Sequence, residues 1–254
     1  MNYQLLFKTA MLAGEIMSQS GAETFRVEDT MIRILKSSNF QSVDVYATTT
    51  GIVATLSDPT IEPITGVKRI SDRANNLSRI NDVNQISRNI CDDCMPVEEA
   101  YEKLLAIRNF KPYSKITIAI ATVVATAGSA GLFGGTFIDC FIAAFNGLLI
   151  VLISRLSYNR IDSVFMIDVA KSFLVAFVTM LSANLFHYTH TEIIIIGSIM
   201  PLVPGIPITN AIRDTLQGNY MSGTARATEA FVISLGIAFG VGTGLGLFNL
   251  IGRM

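Results

Sequence analysis

The rhythm of apolar positions changes twice along this chain. Over residues 3–19, Leu5, Leu6, Met11, Leu12 and Ile16 recur near helical spacing, and Ser20-Gly21 stops the pattern. Ser20 followed by Glu23 reads as a capping box for a second helix over about 22–37. From Ser42 the residues become β-branched and alternate in polarity: Val43, Val45, Thr48, Thr49, Thr50, Ile52, Val53. Gly51 and Asp58-Pro59 punctuate this stretch, so it predicts two strands, with a third over 62–70. Two further helices are predicted over 72–91 and 97–109, and Pro96 suits the start of the second. Beyond Tyr113 the alternation gives way to long apolar runs.

A bilayer crossing takes about 20 apolar residues. Between Ile116 and Ser154 the only charge is Asp139, and the run is long enough for two spans turned at Gly134-Gly135. Spans are therefore expected at about 113–133, 136–154, 164–186, 192–208 and 230–251. The fourth is interrupted by prolines. The expected fold is an α+β cytosolic domain, residues 1–112, followed by an all-α polytopic membrane bundle of about five transmembrane helices, residues 113–254. The loop carrying Arg155 and Arg160 and the loop carrying Arg213 and Arg226 alternate with turns that lack Lys and Arg. That alternation puts the basic loops and the N-terminal half in the cytosol and the C-terminus outside, with Arg253 against. Tyr113, Tyr158, Tyr188 and Tyr220 fall at span edges, as interfacial aromatics do.

Composition sharpens the same division. Charged residues make up 15% of the 254 residues, against roughly 25% in a soluble domain. Of these charges, 27 lie at or before Lys115 and 12 after it. A net charge of -1 supplies no basic field for nucleic acid. Cys91, Cys94 and Cys140 make no disulfide framework, which suits a reducing compartment for the first half. Cys91-Asp-Asp-Cys94 has metal spacing but lacks the further ligands a closed zinc site needs, and His187 and His190 are an isolated pair. Lys8 and Glu15 interrupt the first apolar stretch, so no signal peptide is read and the first span would act as the insertion signal. Neither a Walker motif nor a Gly-x-Ser-x-Gly elbow is present, so no catalytic residue, cofactor or metal is assigned.

The strongest candidate chemistry lies in the fourth span. Pro201, Pro204 and Pro207 remove backbone donors and Gly205 permits unusual dihedrals. Freed carbonyls must line a wet cavity or find partners, and discontinuous helices are where many transporters hold substrate. Thr209 and Asn210 follow directly. Arg213 and Arg226 can grip a carboxylate through the guanidinium fork, with Asp214 and Glu229 as pairing acids; the bland alternative is charge that fixes topology. Asp139 is either a coupling group inside the membrane or an acid at its outer interface. Asn146 and Asn184 contact substrate or bond across helices. Asp168 and Lys171 share a helical face and pair for insertion. Gly236, Gly240 and Gly244, with Gly242 and Gly246, make close-packing strips on the last span. Read alone, Glu23, Arg26 and Glu28 are a solvated helix start.

Two segments go further. Ser20-Gly-Ala-Glu-Thr-Phe-Arg26-Val-Glu28 and Met200-Pro-Leu-Val-Pro-Gly-Ile-Pro-Ile-Thr-Asn210, continued by Ala-Ile-Arg213-Asp214 and Ser222-Gly-Thr-Ala-Arg226, resemble the threonine/serine exporter family over its larger N-terminal portion. The resemblance implies export of small carboxylate-bearing metabolites such as succinate, threonine or serine across a bacterial inner membrane, driven by a proton gradient. It draws attention to Glu23, Arg26 and Glu28 as a cytosolic motif. Relatives are either long fused chains or split pairs, and a chain ending after five spans resembles the large subunit of a split pair. A smaller membrane subunit of the same family is then the expected partner, with homo-oligomers a further expectation. The rival class is a membrane-anchored regulatory or scaffold protein whose soluble domain binds a partner. Intramembrane polar groups and a triple-proline helix weigh against it.

Overall fold

The computed structural model describes residues 2–71, 73–110, 113–157, 163–186 and 189–251. Tyr158, Arg160, His187, Tyr188 and Arg253, which figure in the expected topology, lie outside the described residues. The chain divides into two compact units. One gathers Met1–Lys111 with Ile206–Thr228, and the other gathers Pro112–Gly205 with Glu229–Met254.

The first unit begins with α1 (Tyr3–Gln19), capped by the Asn2 side chain accepting from the Leu5 amide. It buries Leu6, Ala10, Ala13, Ile16 and Met17. Ser20 ends the helix, and Gly21, at φ 81°, turns the chain in a conformation costly for any residue with a Cβ. Helix α2 (Thr24–Lys36) follows and buries Val27, Met31, Ile34 and Leu35, the i, i+4, i+7, i+8 positions of one face. Strands β1 (Ser42–Ala47), β2 (Gly51–Asp58) and β3 (Ile61–Arg69) form an antiparallel meander in that order. On β2, Ile52, Ala54 and Leu56 point into the core while Val53 and Thr55 point away, the period-two pattern of a half-buried sheet. Gly66, paired to Ala54, leaves room for Phe7: a Cβ there would lie 2.8 Å from the ring. Helices α3 (Leu77–Cys91) and α4 (Val97–Asn109, with Pro96 at its N-cap) close the core with Ile80, Val83, Ile86, Ala100 and Leu104.

Two expectations need correction here. The third helix starts at Leu77, because the Asn76 side chain caps it by accepting from the Arg79 amide. Ser20 is not the N-cap of α2: it is the last residue of the α1 turn, and Glu23 holds the N-cap position without a side-chain cap bond. The capping box that does form lies in the second unit.

That second unit holds α5 (Lys115–Leu132), α6 (Phe137–Ser157), α7 (Val164–Leu185) and α8 (Thr191–Ile199). It also holds most of α10 (Tyr220–Ile251). Among the described residues, four helices are long and apolar enough to cross a membrane, and five spans result if α8 and the helix after it count as one bent span. Ile116, Ile120, Val124, Phe141, Phe145, Leu148 and Leu152 face outward, which is the expected disposition where the solvent is lipid. The α5–α6 turn is made at Gly134, φ 87°. Small residues allow close approach: a Cβ on Gly197 would lie 2.6 Å from the Ala130 backbone, and one on Gly240 would lie 2.8 Å from Ser172 Cβ.

The proline-rich segment departs from a simple kinked helix. After α8 comes a short 3-10 turn, Met200–Leu202, then an extended Val203 (φ −63°, ψ 127°), and then α9 (Gly205–Leu216). Pro201 and Pro207 sit in the first turns of their helical pieces, and Pro204 immediately precedes α9. First-turn amides have no intrahelical acceptor, so proline costs little there. The prolines start two helical pieces, which is why α9 runs on to Leu216 instead of ending near Ile208. Likewise the last helix begins at Tyr220, ten residues before the expected span. Polar residues around Arg226 lower local hydropathy without opposing helix. At 32 residues and about 1.5 Å per residue it is roughly 48 Å long, well beyond a 30 Å hydrocarbon core.

Gly240→Ala should lower the thermal midpoint of the detergent-solubilised protein, with overpacking costing about 1–3 kcal/mol. Gly242→Ala, where a Cβ meets nothing within 4 Å, should leave the midpoint unchanged. Equal effects of the two would contradict the α7–α10 packing.

Candidate functional site

The two sequence segments that carry the family resemblance meet in the first unit. The centre is Asp214 on α9, whose side chain is fully buried. Its Oδ1 accepts from the Thr24 amide at 3.0 Å, and its Oδ2 accepts from the Thr24 hydroxyl at 3.2 Å. Thr24 is the first residue of α2, so Asp214 caps that helix from 190 positions away and places its charge at the positive end of the helix dipole. This contact replaces the expected Ser20–Glu23 box. Arg226 of α10 pairs with the same carboxylate, Nε to Oδ2 at 3.0 Å, and its Nη2 donates to the Ala22 carbonyl at 2.7 Å. Asn210, one turn before Asp214, donates from Nδ2 to the Gly21 carbonyl at 2.9 Å. Its neighbour Thr209 donates to the Ile206 carbonyl at 3.0 Å, within its own helix.

Local sequence explains this convergence. Asn210, Asp214 and Gly218 are four apart, so the two polar side chains share one face of α9. Gly218, at φ 84°, then reverses the chain, and the Asn219 amide closes on the Asp214 carbonyl at 2.8 Å. The turn brings Arg226 back beside Asp214. Around this buried centre lies a more exposed ring. Glu23 accepts from Arg213 and lies 3.6 Å from Arg26. The expected pairing of Arg213 with an acid is thus met by Glu23, across the two signature segments. Glu28, half-buried, accepts from the Ala47 amide at 2.8 Å. Burial pushes its carboxyl above the ordinary glutamate range; the Ala47 amide pulls it down, and the charge of Asp214 adds to the rise. Glu23 and Arg26 therefore form an ion network with Arg213 beside the buried joint, while Glu28 bonds to the backbone of β1, so the motif is more than a solvated helix start.

The other candidates, Pro207 of the first unit apart, sit in the second unit. Pro204 lines an apolar groove of about 430 Å³ with Val203, Ile237 and Val241, and Ser234 is its one hydroxyl. Pro201 and Gly205 flank the break, in the 3-10 turn before it and at the first residue of α9, and Pro207 lies in the first turn of α9. Asp139 forms a reciprocal capping box with Thr136: the Thr136 amide donates to Oδ2 at 2.8 Å and the Asp139 amide to the Thr136 hydroxyl at 3.4 Å. The same carboxylate meets the His190 amide at 3.0 Å and its ring Nδ1 at 2.9 Å, tying the start of α8 to the start of α6. Lys171 reaches Asp168 at 3.3 Å, as their spacing predicts. Asn184 is exposed.

Sequence reading gave Asn146 no partner. It is fully buried halfway along α6, and Nδ2 donates to both Thr179 and Ser198 hydroxyls at 3.0 Å. Thr179 spends its own proton on the Val175 carbonyl at 2.7 Å, which fixes the amide orientation and leaves Asn146 Oδ1 without a partner among the described residues. Ser198 lies two residues before the break. No pattern of spacing could have paired three residues from three helices. Cys91 and Cys94 are free thiols, and no group of three metal-ligating side chains occurs among the described residues.

A polytopic helical membrane protein with a buried charge joint on its polar unit is the class that fold and site define. Residues 8–248 match the family model described as "Putative threonine/serine exporter", so the chain belongs to the threonine/serine exporter family. It is 24% identical over 89% of its length to the "Probable threonine/serine exporter" of Mycobacterium tuberculosis, of which it spans only 43%. It is also 24% identical to the "Probable succinate transporter subunit YjjP" of Klebsiella aerogenes and of Escherichia coli. Those two similarities extend over 92% and 94% of this chain and over 90% and 93% of the relatives. No solved structure matches the chain.

Glu28→Gln should change how stability depends on pH. A carboxyl raised in the folded state contributes stability that is fully present below its unfolded value of 4.5 and is lost as pH rises through the folded value. The variant keeps an acceptor for Ala47 but cannot ionise. Denaturation midpoints at acid and neutral pH should therefore fall less with rising pH in Glu28→Gln than in the parent protein. Parallel curves would contradict the assignment.

Proposed function

We propose that this chain is the large subunit of a secondary exporter for small carboxylate-bearing metabolites, succinate or threonine and serine, in a bacterial inner membrane. Its first unit faces the cytosol, and a smaller membrane subunit of the same family completes the transporter. The observation that carries this reading is the joint between the Gly21–Thr24 turn and α9. The helix that leaves the proline break delivers Asn210, Arg213 and Asp214 straight into it, so movement at the break has a mechanical route to the inner face. In this reading Arg213 and Arg226 meet the substrate carboxylate as Glu23 and Asp214 release them, and Pro201, Pro204, Gly205, Pro207 and Thr209 form the hinge. Asp139 serves as the coupling group at the outer end.

Family membership supports transport as the activity. Two relatives that match along nearly their whole length carry the word "subunit" in their names, which supports a partner and favours the dicarboxylate. At Gly242 and Gly246 a methyl group would meet nothing within 4 Å. They offer a flat strip for a neighbouring helix from that partner or from a second copy.

Efflux from cells preloaded with labelled succinate or labelled threonine tests the reading. Export of one of them should need both this chain and its small partner. It should fall about tenfold or more with Arg213→Ala, the loss expected for one charged hydrogen bond. Failure of a well-inserted pair to export either compound would contradict it.

A further inference from the structure

A second polar feature of the first unit borders the joint and shares Glu23 and Arg26 with its outer ring. A cleft of about 430 Å³ opens between α2 and α3, within the range of roughly 300–1,000 Å³ typical of small-metabolite sites. Arg26, Asp29, Thr30 and Arg33 stand at spacings of three, four and seven, so they share one face of α2. Asn84, Ser87 and Arg88 do the same on α3. Thr30 and Ser87 are buried, and Thr30 Oγ1 lies 3.3 Å from Asn84 Oδ1, which makes a hydroxyl-and-amide floor. Phe25, half-exposed, supplies an apolar wall.

The charge pattern identifies the ligand. Arg26, Arg33 and Arg88 line the cleft together with Glu23 and Asp29. Arg33 holds Asp29 at 2.8 Å and Arg26 lies 3.6 Å from Glu23, which also accepts from Arg213. Arg88 is exposed and has no ion pair among the described residues. The lining thus carries three guanidinium groups against two carboxylates, an excess of one positive charge, and Arg213 reaches it only through the shared partner Glu23. Exposed pairs such as Arg33–Asp29 are worth only about 0.2–1 kcal/mol, so a ligand can recruit those forks at little cost. Guanidinium forks match carboxylate and phosphate oxygens two at a time.

We propose that this cleft is a binding site for a small organic dianion, carrying either two carboxylates or one phosphate, with Arg88 as its principal anchor. A bound dianion competes with Glu23 for Arg26, and so occupancy reaches the Glu23–Arg213 pair. That link rests on the exporter reading, whereas the binding does not.

Hydrogen exchange on the purified full-length chain in lipid nanodiscs tests the site. Succinate, inorganic phosphate and threonine are titrated separately at matched ionic strength, with sodium chloride as the screening control. Succinate or phosphate should slow exchange in peptides covering residues 23–33 and 84–88, while threonine, which carries no net charge, should not. Protection by succinate alone assigns the dicarboxylate, protection by phosphate alone assigns the phosphate ester, and protection by both assigns the shared dianion chemistry. Arg88→Ala should raise the half-saturating concentration at least tenfold and Arg88→Lys by less, with exchange elsewhere unchanged. The proposal is overturned if neither dianion protects these peptides, if threonine or sodium chloride protects them equally, or if Arg88→Ala leaves the titration unmoved. Loss of cellular efflux with a normal titration would count against the exporter reading alone.

Discussion

The buried carboxylate of Asp214 is the constraint on which the first unit depends. A charge with no exposed surface is tolerable only when its oxygens are met by donors and its charge by a partner. Thr24 supplies two donors and Arg226 the countercharge, all within hydrogen-bonding distance. The start of α2 in turn needs an acceptor for its first amides, and its own N-cap residue, Glu23, provides no side-chain bond. Each side therefore resolves a deficit of the other. Removing either would leave a buried charge or an uncapped helix, so the α1–α2 turn and the α9–α10 turn behave as one structural element despite their distance in sequence.

The same α9 that carries Asp214 begins at the proline break. Proline at the start of a helical piece is inexpensive, and the extended Val203 between two such pieces is a place where dihedral angles can change without breaking a hydrogen-bond ladder. On the far side of the break, α9 runs as a continuous helix into the charge joint. On the near side stands Ser198, bonded to a buried asparagine. The hydrophobic helices present apolar faces outward, and the buried polar cluster of Asn146, Thr179 and Ser198 lies where three of them meet.

Much of this was legible in the sequence. The strands, α1, α4 and the first three apolar helices emerged close to their expected bounds because period and punctuation there answer to local physics. The helix starts were harder. Ser20–Glu23 has the spacing of a capping box, yet Gly21's positive φ commits Ser20 to ending α1; Thr136–Asp139 has the same spacing and is the box that forms. Hydropathy found the apolar core of α10 but not its polar first turns, since a helix continues wherever its residues allow and hydropathy registers only lipid. In the site, Arg213 and Arg226 were identifiable as carboxylate-seeking groups and Asp214 as a pairing acid, and Arg226 does pair with it. Glu23, the partner of Arg213, could not be assigned by spacing, because it lies 190 positions away. The Asn146, Thr179 and Ser198 contact was invisible for the same reason.

The most direct test of the joint is a double-mutant cycle on Asp214→Ala and Arg226→Ala in the purified chain, read from unfolding free energies. Removing one partner of a buried pair should cost about 3–5 kcal/mol. Removing both should cost less than the sum of the single losses, with a coupling energy in the upper part of the roughly 0.5–3 kcal/mol range seen for residues in contact. Single losses that simply add, within about 0.5 kcal/mol, would show that these side chains act independently and that the two signature segments are not held together by this charge.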